Sequence, residues 1–381
     1  MTAYSVRTGL AGPVAQAERY LWTDAFAVCN FLELYRQTGN KGFLVAARDL
    51  VDQVHFALGR YSGTDSRRGW LSGLDESAGN LHPTRGGLRI GKKLAERKPD
   101  EAIDQRLEWD RDGQYFHYLS KWMHALSQVS GFTGEDRYHL WALELAKAGH
   151  AGFTYTPVEG GPKRMHWKMS VDLSRPLVAS MGHHDPLDAL ITYTELKVAG
   201  RRHGMLTGDL DLEQEIAECQ AMCAGRDWAT EDPLGTGGLL ADACRLSQLQ
   251  VMAERDLSGP LSVPSLLADC ATGLHAFIRS GTLAQPAEYR LAFRELGLAI
   301  GLQAVVRIQR LVERNPDRFN GVRELFGLLK AFEEFGYLRD EIESFWVHPS
   351  HQKSATWCDH QDINAVMLAT SLAPDGFLLI Q

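Results

Sequence analysis

The chain has 381 residues, 44% of them hydrophobic and 23% charged, with 40 basic against 48 acidic side chains and a net charge of −8. That is the composition of a soluble globular protein with chain enough for a large core, and a mild acid excess without Lys/Arg runs excludes a nucleic-acid footprint. No stretch approaches the roughly 18 uninterrupted apolar residues of a membrane span, and the N-terminal MTAYSVRTGLAGPVAQAERYLW lacks the layout of a secretory signal, so a cytoplasmic location is expected.

Helical periodicity runs along the whole chain. The first pair of amphipathic stretches is 24–39 and 42–61, with Gly39-Asn40 as the turn between them. Pairs follow at 113–131 and 137–153, 186–200 and 212–225, 236–254 and 264–281, and 288–314 and 318–337. A last run at 360–373 has no neighbour in sequence, and AGPVAQAERYLW near the N-terminus is its expected partner. Strand signals are confined to 153–173, which alternates around Gly160-Gly161 and reads as a hairpin inserted in a loop. Two connections, 61–110 and 153–185, are far longer than the usual link between packed helices, and long ordered loops usually carry function.

Antiparallel helix pairs build either an open superhelical array or a closed ring. The hairpin starts, near 22, 112, 186, 236, 289 and 360, are too unevenly spaced for an array. The expected fold is therefore all-α: an (α/α)6 toroid of six helical hairpins with long loops and a small β-hairpin insertion, as one domain over 1–381. The six cysteines are scattered; Cys219 and Cys223 lie one helical turn apart but have no second pair. They read as small buried hydrophobes in a reducing compartment, and neither a metal site nor a cofactor is expected.

In such a ring the inner helices run the same way and share one rim, so what precedes each of them is informative. The first has Trp22, Thr23 and Asp24; the second Glu108, Trp109, Asp110, Arg111 and Asp112; the third His183, His184, Asp185 and Asp188. The fourth has only small residues, Gly235 to Gly238. The fifth has Glu288, Tyr289, Arg290 and Arg294, and the sixth Trp357, Cys358, Asp359, His360, Gln361 and Asp362. Capping explains any single Asp at a helix start. It does not explain His, Trp and Arg on the same rim, which together suit a sugar: rings stack on pyranose faces, and carboxylates bind hydroxyls or move protons. Within 113–131, Tyr115, Tyr118, Leu119, Trp122, Met123 and Leu126 form an apolar stripe, and His117, Lys121, His124 and Gln128 a polar one. The loop 61–110 is locally basic through Arg67, Arg68, Arg85, Arg89, Lys92 and Lys93, which would suit an anionic sugar, although ordinary surface ion pairs would account for it as well.

The stretch TDAFAVCNFLELYRQTGNKGFLVAARDLVDQV, then RRGWLSGL, then a string of Asp-headed helices resembles the six-hairpin glycosidase superfamily of (α/α)6 toroids, which includes unsaturated glucuronyl and rhamnogalacturonyl hydrolases; N-acylglucosamine 2-epimerases share the toroid. The chain lacks the RGxxW-type motif of the unsaturated uronyl hydrolases on a later helix. It also lacks a match to the epimerases' paired catalytic histidines. The resemblance implies a carbohydrate-active enzyme, with a glycoside hydrolase as the first expectation. Asp112 and Asp185, with Asp359 as a third, are the expected carboxylates for general acid/base chemistry. Trp70, Arg85, Trp109, Asp110, His117, Trp167, His183, His184, Arg290, Trp357 and His360 are the expected substrate-binding residues. A sugar epimerase using His184 with His360, and a non-catalytic carbohydrate-binding or scaffold toroid, are the alternatives. The expected partner is a small saccharide, with no nucleic acid and no membrane, and a homo-oligomer is left open.

Overall fold

A computed structural model describes residues 1–12, 18–204, 208–253 and 261–381, excepting the side chains of 202 and 203. Among the described residues the chain is all-α apart from five short strands, the class expected from its periodicity. Its contacts divide it into two compact units, 2–222 with 381, and 1 with 223–380.

In the first unit, after α1 (Thr2–Arg7), three helical hairpins follow: α2 (Leu21–Thr38) with α3 (Lys41–Leu58), α6 (Phe116–Thr133) with α7 (Asp136–Phe153), and α8 (Asp185–His203) with α9 (Glu213–Cys223). Short helices α4 (Glu76–Leu81) and α5 (Gln105–Asp110) lie in the long connection before α6. The first hairpin turns in two residues. Gly39 takes the left-handed conformation (φ 66°) and returns its N–H to Tyr35, and Asn40 caps α3 by accepting from the Gly42 N–H at 2.9 Å. Helix α6 packs against α2, α7 and α8 and forms the centre of the unit.

The polar stripe on α6 has a physical explanation in α8. His117 faces Asp185, Lys121 bonds Asp188, and His124 bonds Glu195 at 2.9 Å, so one ammonium–carboxylate and two imidazole–carboxylate rungs join the two helices. Gln128 closes the stripe on His124 at 3.2 Å. Trp122 points the other way and donates its indole N–H to Nε2 of His55 on α3 at 3.1 Å.

The expected β-hairpin is present: β2 (Thr154–Tyr155) pairs antiparallel with β3 (Arg164–Met165), and Gly160 and Gly161 at its tip have φ of 80° and 98°. A second sheet was not anticipated. It is formed by β1 (Gln114–Tyr115), β4 (Lys168–Met169) and β5 (Pro176–Val178), in the order β1-β4-β5. It sets the start of α6 four residues later than Asp112, because Gly113 (φ 152°) breaks the chain and 114–115 pair as a strand. Asp112 is therefore not the head of an inner helix. The two long loops are sewn together at this point. Gln114, fully buried, accepts from the Leu88 N–H at 2.8 Å and donates to the carbonyls of Gly86 and Val171. Arg67 joins Asp65, Glu96 and Asp172 in one cluster.

In the second unit α10 (Pro233–Met252) pairs with α11 (Val263–Ser280), and α12 (Ala292–Arg314) is followed by α13 (Val322–Ala331) and α14 (Gly336–Val347). Then come α15 (Ala355–Asp359), α16 (Gln361–Leu372) and α17 (Asp375–Leu378). The run 318–337, expected as one helix, is two helices with a 3₁₀ turn, 332–335, between them. Helices α10 and α12 cross very closely: a Cβ on Gly237 would lie 2.1 Å from the Gly297 carbonyl oxygen, and one on Gly301 would lie 2.5 Å from that of Gly237. This explains the glycine at 237. The segment AGPVAQAERYLW, expected to pair with α16, lies in part outside the described residues. Leu21 and Trp22 open α2, and residues 13–17 lie outside those described.

Candidate functional site

The first unit carries a polar and aromatic cluster at the N-terminal ends of α6 and α8. Asp185 is the first residue of α8, where Pro186 suits the helix start and a carboxylate suits the dipole. Its Oδ1 lies 3.5 Å from Nδ1 of His117, the second residue of α6. Its Oδ2 is buried and has no hydrogen-bond partner among the described residues. There is no room on that side for a bulkier neighbour, since a Cβ on Gly182 would lie 2.3 Å from Oδ2. A buried carboxylate oxygen without a donor costs free energy unless some group arrives to meet it, so Asp185 is poised for a proton or a hydroxyl. The His117 side chain keeps 29% of its surface exposed.

Aromatic rings continue outward from His117. Tyr115 and Tyr118 lie 5.2 and 4.9 Å from it, centroid to centroid, and Tyr115 is 6.2 Å from Trp167. Trp167 meets Trp109 edge-on at 4.7 Å, and Trp109 is 51% exposed. On the other flank the Tyr118 hydroxyl shares a 2.7 Å hydrogen bond with Tyr20, and the Tyr118 ring lies 6.4 Å from Trp22. Burial pushes the Tyr118 phenol well above its ordinary range, and it stays a neutral donor. An exposed indole, Trp109, and a half-buried one, Trp167, beside a carboxylate–imidazole pair form a surface on which a pyranose face can stack while its hydroxyls are bonded at the edge. His183 and His184 precede Asp185 with their rings 4.6 Å apart.

Beneath these rings lies Lys168. Its ammonium donates to the carbonyl oxygens of Glu108 and Arg111 and sits 3.8 Å from the Glu108 carboxylate. Burial lowers its pKa to about 8, with Glu108 opposing. The lysine ties the segment that carries Trp109 to the strand that follows Trp167.

The expected residues fall into three groups. Trp109, His117, Trp167, His183, His184 and Asp185 gather on this surface, and Asp110 lies exposed at the end of α5 beside Trp109. Asp112 is not free for acid/base work. It pairs with Arg89, and its Oδ1 accepts from the backbone N–H groups of Gly91 (3.1 Å) and Lys92 (3.3 Å), so it anchors the loop 88–94. Arg85 bonds Glu144 on α7 at 2.9 Å, and Trp70 is buried against Gly79 with Arg60 over its ring. With Arg67, Arg85 and Arg89 each held by carboxylates, the basic character of the loop is largely neutralised within it.

The remaining expected residues lie in the second unit. Arg290 is buried, forked onto Glu295 (2.6 and 2.9 Å) and stacked over Phe345. Trp346 donates to the same Glu295 at 2.7 Å, and Trp357 stacks on Trp346 at 5.7 Å. These three are core components, because their polar atoms and ring faces are satisfied by neighbours of the same unit. Asp359 and His360 are exposed at the α15–α16 junction, with His360 edge-on to Phe293 at 5.5 Å.

Sequence reasoning passed over Tyr20 and Lys168 and assigned Tyr115 and Tyr118 to a packing stripe. The available signal was the position of both tyrosines beside His117 at the start of the helix, where a ring faces loops rather than a neighbouring helix.

No protein-family model and no curated protein matches this chain. Among solved structures it is similar to an inactive variant of alpha-1,6-mannanase from Salegentibacter sp. HEL1_6 in complex with alpha-1,6-mannotetrose, at 12% identity and a TM-score of 0.49 over 95% of this chain and 91% of that one. It is also similar to cellobiose 2-epimerase from Spirochaeta thermophila DSM 6192, at 11% identity and a TM-score of 0.44 over 83% of this chain and 87% of that one.

Proposed function

We propose that the chain is a carbohydrate-active enzyme that moves a proton on a saccharide held against Trp109, Trp167 and Tyr115. The reaction we favour is epimerisation or isomerisation at a carbon beside a sugar carbonyl, ahead of the glycoside hydrolysis that the sequence puts first. The observation that carries this reading is the pairing of His117 Nδ1 with Asp185 Oδ1 at 3.5 Å, with Nε2 of His117 unpartnered among the described residues.

A carboxylate on Nδ1 holds the proton there and leaves Nε2 as the base. His117 would take the proton from the carbon next to the carbonyl, leaving an enediolate. Returning it on the same face to the neighbouring carbon gives the isomer; the epimer requires a second acid to deliver a proton to the opposite face, His117 keeping the one it took. Imidazolium formed on the way is stabilised by Asp185. Hydrolysis calls for two carboxylates, about 5 to 9.5 Å apart depending on stereochemistry. Of the two expected in this unit, Asp112 has its oxygens engaged by Arg89, Gly91 and Lys92.

The test is product analysis on a panel of reducing mono- and disaccharides and aryl glycosides, with the solvent deuterated. An epimer or ketose carrying deuterium at the carbon beside the carbonyl supports the proposal. Release of a new reducing end without exchange instead assigns hydrolysis. His117→Gln and Asp185→Asn are expected to lower kcat by about 10²- to 10⁴-fold while the circular dichroism is unchanged. Full turnover in both variants rejects the pair as the proton-transfer group.

A further inference from the structure

Trp109 stands on a segment that is weakly held by itself. Of residues 101–110 only Glu108 is buried, and α5 has six residues, too few for a helix to be stable alone. The half-exposed Trp109 ring nevertheless meets Trp167 edge-on at 4.7 Å. Trp167 is placed independently, just before β4, where its backbone N–H donates to the Ser180 carbonyl at 2.7 Å.

Lys168 lies between the two. It follows Trp167 in the chain, is fully buried, and directs two of its three ammonium N–H groups to the carbonyls of Glu108 and Arg111, which flank Trp109 and Asp110. The Glu108 carboxylate, itself bonded by Arg97 at 2.9 Å, is 3.8 Å from the nitrogen, and the Tyr115 ring centroid is 5.6 Å from it. One ammonium therefore reaches the carriers of all three rings, Trp109, Trp167 and Tyr115. Burying an ammonium costs free energy, and an apolar side chain of the same length would fill the volume without that cost. An apolar chain cannot hold two carbonyls at a fixed place beside β4.

We propose that Lys168 is a positioning residue for the saccharide surface: its ammonium fixes the 108–111 segment so that Trp109 stands against Trp167, and it acts on saccharide binding rather than on proton transfer. This rests on the reading that a saccharide is held against these rings. Of the charged groups that face the nitrogen, Glu108 and Asp112 favour the ammonium while Lys92 and Arg111 oppose it. Burial holds the Tyr115 phenol well above its ordinary range, so that ring stays neutral. Burial of Lys168 outweighs the carboxylates and lowers its pKa to about 8. Above that pH the neutral amine keeps two N–H groups but loses the charge that strengthens their bonds. The surface is then set below about pH 8 and slackens above it.

The experiment joins a spectroscopic readout to binding. The near-UV circular dichroism lost in Trp109→Phe defines the signal of the indole pair, and calorimetric titration of the full chain with glucose, mannose and galactose gives the affinity. Lys168→Met is expected to lose that signal near neutral pH and to bind about tenfold more weakly; on a sugar that is turned over, KM should rise with kcat unchanged. In wild type, signal and affinity should fall together as the pH rises through about 8, the affinity about three- to tenfold, and Lys168→Met should lack that alkaline limb. An unchanged signal in the folded variant, unchanged affinity despite a lost signal, a fall in kcat at constant KM, or an alkaline limb that persists in the variant overturns the proposal. Binding without product rejects the proton-transfer reading alone, and the signal and affinity then decide on Lys168. Binding of none of the sugars by wild type rejects the saccharide surface and this proposal with it. Should Lys168→Met not fold, the wild-type pH series decides.

Discussion

At the scale of single residues, chemically identical side chains have opposite roles according to what reaches them. Asp112 and Asp185 both stand near the start of an inner helix in the sequence. Asp112 is claimed by Arg89 and two backbone N–H groups, whereas Asp185 keeps an oxygen without a donor. Nothing local distinguishes them, because the claimant is a loop arginine 23 residues away. The histidines divide in the same manner: His117 is partly exposed beside a carboxylate, and His55 is sealed under Trp122 and Trp141. His55 makes the fold sensitive to acid. Its unfolded pKa is 6.5 and its folded pKa about 3, so between those values the unfolded chain binds the extra proton. Stability is then expected to fall as pH drops below about 6.5, by about 1.4 kcal/mol per unit while only the unfolded form is protonated. Below about 4.5, Glu218 adds to the loss. Burial alone would raise its carboxyl, but bonds from Lys163, His150 and Gln214 outweigh that and hold it at about 2. Urea midpoints at several pH values test this, and His55→Gln should flatten the slope above about 4.5; an equal slope in the variant would show that another group is responsible.

Elements were the most legible scale. Amphipathic periodicity is a local property, and it placed the paired long helices from α2 to α12 to within a few residues, but not α14. The polar stripe on α6 was visible too, although its purpose, a three-rung ladder to α8, required α8 to be set beside it. The misses have local causes. The 3₁₀ turn at 332–335 interrupts a run whose pattern is continuous, and strands of two or three residues are too short to show alternation. Gly237 and its neighbour Gly238 showed no readable difference until α12 lay against the first of them. Their packing gives a paired prediction. Gly237→Ala, whose Cβ would lie 2.1 Å from the Gly297 oxygen, is expected to destabilise the protein by about 1 to 3 kcal/mol through overpacking. Gly238→Ala, with nothing within 4 Å, is expected to stabilise it by about 0.5 to 1 kcal/mol, since alanine favours the helix. Chemical denaturation of the two variants reads the difference directly; equal effects would mean that the close crossing does not govern stability.

For the whole molecule, charge is the informative quantity. The net charge is −8, and the arginines at 67, 85 and 89 that raised the prospect of an anionic substrate are each bonded to a carboxylate. A neutral saccharide should therefore raise the melting temperature by an amount that hardly changes between about 20 and 200 mM salt, because no net ion pair forms on binding. A thermal-shift series across salt checks this, and a strongly salt-dependent shift would point back to an anionic ligand. No described helix is long and apolar enough to cross a membrane. What the sequence by itself determined is the all-α class, the order of the hairpins and the kinds of residue near the helix starts, since each depends on side chains a few positions apart. Only the tertiary structure decided which of those residues are free to act. Asp185 and His117 are 68 positions apart, Trp109 and Trp167 are 58, and burial, pairing and exposure at such separations are set by how the long loops pack over α6 and α8.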